Sequence, residues 1–147
     1  YYKTIKLNDT HLNARYSMAR LLEKSGQLIP AYREYRFIMM VRGYGNLVLQ
    51  SEFDNLPPED EMMPIGEVAY RKLLIDDKLN YYDQVIIDSE LCISENFRKP
   101  ESYYLKGKAL IYLGYDSLGC IEINNSKNLG YVVSEMDRNG RVMKSCR

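Results

Sequence analysis

The sequence predicts an all-α fold, an antiparallel stack of helix pairs, on three observations. Apolar residues recur at helical spacing over most of the 147 residues. Glycine or asparagine interrupts that pattern at intervals suited to helix ends. Two distant segments also align without a gap, "ARYSMARLLEKSGQLIPAYREYRFIM" (14–39) and "SYYLKGKALIYLGYDSLGCIEINNSK" (102–127), pairing Ala19 with Gly107, Leu22 with Leu110, Gly26 with Gly114, Ala31 with Gly119 and Tyr35 with Ile123 at a constant 88 residues. The segment "LLIDDKLNYYDQVIIDSELCISEN" supplies an intermediate copy, because Val85 lies 54 residues after Ala31 and 34 before Gly119. A 34-residue period carrying a 20-residue insertion at about Tyr44 to Met63 accounts for all three copies.

Each copy reads as two amphipathic helices. The first helices are predicted over about Leu12–Ser25, Pro64–Leu79 and Glu101–Leu113, and the second over about Ile29–Val41, Tyr82–Asn96 and Asp116–Leu129. Gly26, Asn80 and Gly114 stand between the two helices, and these residue types accept the left-handed backbone that ends a helix. In "YYLKGKALIYLG" (103–114), Gly114 is therefore the stop, and Gly107 falls in mid-helix, where glycine costs about 1 kcal/mol relative to alanine. Gly107 occupies the position of Ala19 and Leu73, so a close helix–helix approach is predicted there.

The domain organisation expected is one array over 1–147, with repeats at about 12–43, 64–99 and 100–130. Inside the insertion, about 44–63, "NLVLQSEF" alternates like a short strand or an added helical turn, whereas "LPPEDEMMP" suits no regular element. It reads as a surface loop, or as a flap or partner contact. The tail "YVVSEMDRNGRVMKSCR" (131–147) is suited to a capping helix over the last apolar face. Asn139-Gly140 between its valine-rich flanks is also a hairpin signal. Tyr1 lies 34 residues before Tyr35, so "YYKTIKLND" reads as the end of a preceding second helix and the chain as part of a longer array.

Twenty basic and twenty acidic residues cancel, which removes the charge expected of a nucleic-acid binder or a polybasic membrane module. No run of eighteen apolar residues is present, so no transmembrane helix is expected. Cys92, Cys120 and Cys146 are too few and scattered for a disulfide framework; free thiols in a reducing compartment are expected, with cytoplasm favoured. Cys92 and Cys120 fall on inner helix faces, and Cys146 is expected to be exposed. His11, the only histidine, sits in a turn without a nucleophile, base or metal-ligating partner nearby in sequence. The acids Asp76, Asp77 and Asp83 lack the glycine and terminal glutamate of a calcium loop. No catalytic set, metal site or cofactor is therefore expected.

The repeat resembles the tetratricopeptide family, whose 34-residue helix pair places a small residue between large ones in its first helix and a small residue and an aromatic in its second. The first copy matches through Met18, Ala19, Leu22, Ala31 and Tyr35, and the third through Tyr103, Gly107, Leu110, Gly119 and Ile123. The middle copy departs from it: Asp76 stands where the others have leucine, Ser89 replaces the aromatic, and no copy ends in proline. In such arrays the first helices line a concave groove that receives an extended peptide or a partner's helix. The resemblance thus implies a non-catalytic interaction scaffold with a protein or peptide partner, or else an accessory helical domain of a larger enzyme or ligand-binding protein. Tyr16, Tyr70 and Tyr104 share one position of the three first helices, and Arg20, Leu74 and Lys108 lie one turn beyond. The resemblance places them in the groove, as an exposed tyrosine ladder beside two cations for a carboxylate. Asn13 alone hints at the asparagine with which some members clamp a peptide terminus.

Overall fold

The computed structural model describes residues 12–44, 62–134 and 140–146. The predicted N-terminal helix end, His11, nearly all of the predicted insertion and residues 135–139 lie outside the described residues. Within them all regular structure is helical: α1 (Leu12–Lys24), α2 (Leu28–Val41), α3 (Ile65–Lys78), α4 (Tyr82–Ser94), α5 (Lys99–Tyr112), α6 (Asp116–Asn128) and α7 (Arg141–Ser145). None is long and apolar enough to cross a membrane. The chain gathers into two compact units, 1–72 and 73–147, with the division inside α3.

Three turns join the helix pairs α1–α2, α3–α4 and α5–α6, and they are built alike. Gly26, Asn80 and Gly114 adopt φ of +82°, +60° and +96°, the left-handed conformation that only glycine and asparagine enter at little cost. The next residue closes a six-residue ring: Gln27 N–H donates to the Leu22 carbonyl at 2.9 Å, Tyr81 to Asp76 at 2.9 Å and Tyr115 to Leu110 at 2.8 Å. These are Schellman caps, which satisfy carbonyls left over at a helix end. The second helices end the same way, with Gly43, Asn96 and Gly130 at positive φ and Tyr44, Phe97 and Tyr131 donating back to Met39, Cys92 and Ser126. Asn80 to Gly114 and Asn96 to Gly130 are each 34 residues, so the sequence period is also a period in backbone geometry. Two boundaries differ from expectation by two residues: α4 ends at Ser94 rather than Asn96, and α5 begins at Lys99 rather than Glu101, the latter because Pro100 fits the first helical turn, where its missing N–H leaves no bond unmade.

In the first unit α1 packs along α2, and the fully buried Ala19 and Ala31 lie on these helices. Ile38 and Val41 of α2 extend this core, and Ile65, Val68 and Ala69 bury the start of α3. Polar ties fix the entry to α3. The Met63 N–H donates to the Asn13 side-chain oxygen at 3.1 Å, and the Arg42 guanidinium donates to the Met63 carbonyl. Lys72 is buried with its ammonium 4.7 Å from the centre of the Tyr32 ring.

In the second unit α5 is the central element and packs on both α4 and α6. A Cβ added at Gly107 would stand 2.6 Å from the Gly119 carbonyl oxygen, and one at Gly119 2.6 Å from the Gly107 carbonyl oxygen. The predicted close approach is thus a backbone-to-backbone contact with no room for a methyl group. Tyr104, Ile111, Ile123, Val133 and Val142 form the apolar cluster at the end of this unit. Residues 131–134 are irregular, and the residues after Gly140 form α7, not a returning strand, so of the two readings of the tail the helical one describes 141–145.

The cysteines require a correction. Cys120 on α6 and Cys146, just after α7, form a disulfide with Cα atoms 5.2 Å apart, while Cys92 is a buried thiol outside any disulfide. Sequence spacing gave no sign of this bond. Its two cysteines are 26 residues apart, and only the return of α7 to the α5–α6 pair brings them together.

Candidate interaction surfaces

In the first unit a side-chain hydrogen bond links α1 to the first turn of α3. The Tyr16 hydroxyl donates to the Glu67 carboxylate at 2.8 Å, and Arg71 donates to the same oxygen at 3.3 Å. Behind this bridge the Tyr16 ring meets Tyr35 at 5.9 Å between centroids and a 59° tilt, and the Tyr35 hydroxyl donates to Glu23 at 2.8 Å. Arg20 completes the chain by pairing with Glu23 at 3.5 Å. Burial, then the Glu67 bond and charge, raise the Tyr16 phenol above its ordinary range; burial and Glu23 do the same to Tyr35 more strongly. Both phenols are thus proton donors held in place by carboxylates.

The expected ladder of exposed tyrosines is not formed. Tyr16 is only 8% exposed and Tyr104 only 3%, while Tyr70 is half-buried. Tyr16 lies three residues before Ala19 and Tyr104 three before Gly107, which puts each ring on the same face of its helix as a buried small residue. Tyr104 stacks on Tyr131 at 4.6 Å beneath the cap. The two cations are also already engaged. Arg20 pairs with Glu23, and Lys108 pairs with Asp77 at 3.1 Å, a bridge in the second unit between α5 and the last turn of α3. Of the residues expected to line a groove, Asn13 is exposed, and Arg20, Tyr70 and Lys108 are half-buried.

The second unit carries a different surface. On α6, Gly119, Ile123 and Ser126 face inward, yet Leu118 and Ile121 on the opposite side are 56% and 55% exposed. Tyr112, Leu113 and Tyr115 around the α5–α6 turn are exposed as well. Tyr82 stacks flat on Tyr112 at 5.3 Å, and the Arg141 guanidinium sits 5.3 Å from the centre of the Tyr112 ring.

The second unit also buries polar side chains: Asp76, Asp88, Ser89, Cys92 and Ser102. Burial pushes the Cys92 thiol up to about 12, against the lowering effect of a Ser102 hydrogen bond and with lesser help from the charges of Asp88 and Asp76. This thiol is therefore protonated and a poor nucleophile at neutral pH. Among the described residues no group of three His, Cys, Asp or Glu side chains is placed to hold a metal ion.

No family model matches this chain, and neither a curated protein nor a solved structure gives a significant match.

Sequence reasoning missed three features: the disulfide, the buried acids and the outward apolar stripe. The stripe had a signal, since α6 carries apolar residues on both of its sides, at Leu118 and Ile121 as well as Gly119 and Ile123. Asp76 was also legible as a carboxylate at a position that is leucine in the other copies. The disulfide had none.

Proposed function

We propose that the chain is a tetratricopeptide-like helical-repeat module that holds a peptide or a partner's helix and performs no chemistry of its own. The observation that carries this reading is the recurrence of the same capped helix pair, closed by left-handed turns at Gly26, Asn80 and Gly114, with first helices α1 and α3 linked by the Tyr16–Glu67 hydrogen bond. Helix pairs repeated in this way present continuous surfaces, and their usual service is binding. The binding face assigned to the first unit is the solvent side of α1 and α3, where Asn13, Arg20, Tyr70 and Arg71 reach the surface. Asn13, whose side-chain oxygen accepts from the Met63 N–H, and Tyr70 contribute polar surface to this face, and Arg20 and Arg71, already held by Glu23 and Glu67, supply oriented guanidinium groups. Tyr16 and Tyr104 act as core.

The test is a selection of displayed random peptides on the immobilised chain, followed by titration of the winners. Saturable binding that is lost in Tyr70→Ala combined with Arg20→Glu, with helical circular dichroism unchanged, is the expected result. Peptides that bind that variant and the native chain equally, or a selection that enriches none, would count against the reading.

A further inference from the structure

The disulfide stands at a place where it controls the fold. Helix α7 has five residues, and helices shorter than about twelve are marginal by themselves in water. Its anchorage is slight: Val142 is its one buried residue, Met143 packs partly, and its helix contact is with α5. Yet it helps close the cluster of Tyr104, Ile111, Ile123 and Val133 at the end of the second unit. The Cys120–Cys146 bond ties it there and closes a loop of 26 residues. In chain-entropy terms, closing a loop of that length restricts the unfolded chain by about 400-fold. The bond is reachable as well. An open pocket lined by Asp116, Ser117, Ser145 and the two cysteines gives onto it, and both cysteines are half-buried.

We propose that Cys120–Cys146 is a thiol–disulfide exchange site for a dithiol reductant, and that its redox state decides whether α7 covers the end of the apolar core. One thiolate of the reductant attacks a protein sulfur, forming a mixed disulfide and releasing the other cysteine as a thiolate. The second thiol of the reductant then displaces the remaining cysteine. Two electrons pass from the dithiol to the protein, the reductant leaves as its own disulfide, and the two cysteines end as thiols after taking up the two protons. Released from the bond, α7 leaves the cluster, and Ile111, Ile123 and Tyr104 lose part of their cover. The unit thereby gains an apolar end face in reducing conditions that it lacks in oxidising ones. Cys92 takes no part, being buried on α4.

This inference is independent of the binding face assigned to α1 and α3, and the test does not involve a peptide. The full chain is oxidised in air and its intact mass is measured; the expected value is two hydrogens below that of the form with three thiols. Hydrogen exchange is then followed with and without excess dithiothreitol. Reduction is expected to speed the amides of 141–146 and of 131–133 by tenfold or more and to leave α1 and α2 unchanged. The Cys120→Ser, Cys146→Ser double variant is expected to show the fast exchange in both conditions. An oxidised sample with three free thiols would overturn the proposal. So would exchange in α7 that is the same in both redox states of the native chain, a comparison that needs no variant to fold.

Discussion

The helix pairs α1–α2 and α5–α6 share one turn and one register, yet they are held together by opposite means. In α1–α2 the small positions are Ala19 and Ala31, and the core around them contains Tyr16 and Tyr35, whose hydroxyls are bonded to Glu67 and Glu23. In α5–α6 the same positions are Gly107 and Gly119, the backbones touch, and the neighbours are Ile111 and Ile123. The first pair depends on satisfied polar atoms and is sensitive to protonation. The second depends on close fit and is sensitive to volume. A repeat period thus specifies where two helices turn and cross without specifying the chemistry of the crossing.

The largest effect that would break the comparison is expected at Gly107. Gly107→Leu should destabilise the chain by about 3 kcal/mol or more, because its first atom already falls on the Gly119 carbonyl, which cannot move aside without shifting α6. In urea unfolding, Gly107→Ala should also destabilise, despite alanine's better helix propensity. A neutral or stabilised Gly107→Ala would show that the backbones do not touch.

On the other side of the comparison, Tyr35→Phe should cost about 1 to 3 kcal/mol, because Glu23 loses a buried donor. It should also change the response to alkali. Burial and Glu23 raise the Tyr35 phenol well above its ordinary value, so the folded state keeps a proton that the unfolded state releases above about pH 10. The stability due to this group is therefore complete below that pH and declines as pH rises past it. Denaturation midpoints between pH 9 and 11, values chosen to span the unfolded phenol's range, should fall less steeply in Tyr35→Phe than in the native chain. Equal slopes would place the alkaline sensitivity elsewhere.

A third expectation concerns thiols. After gentle reduction at pH 8, iodoacetamide should modify Cys120 and Cys146 and spare Cys92, whose thiol is buried and pushed up to about 12. All three should react in urea, and equal labelling of Cys92 in the folded chain would contradict its burial. The smallest effect is expected at the half-exposed Lys108–Asp77 pair, where a double-mutant cycle should return a coupling of about 0.2 to 1 kcal/mol that shrinks with salt. A larger coupling would mean that this bridge organises α3 and α5, not merely covers them.

By itself the sequence determined the helices, the stops at Gly26, Asn80 and Gly114, and the need for a small residue at 107, since each depends on local backbone preference and on periodicity within a few turns. Tertiary structure alone decided which side of each first helix is core. Tyr16 and Tyr104 stand one turn before the small residues at 19 and 107, but whether such a ring meets solvent or a neighbouring helix depends on residues far away in sequence, Glu67 for one and Tyr131 for the other. It also decided the pairing of Cys120 with Cys146, which requires two α-carbons within about 7 Å of each other. Spacing along the chain carries no information about that distance until α7 has docked.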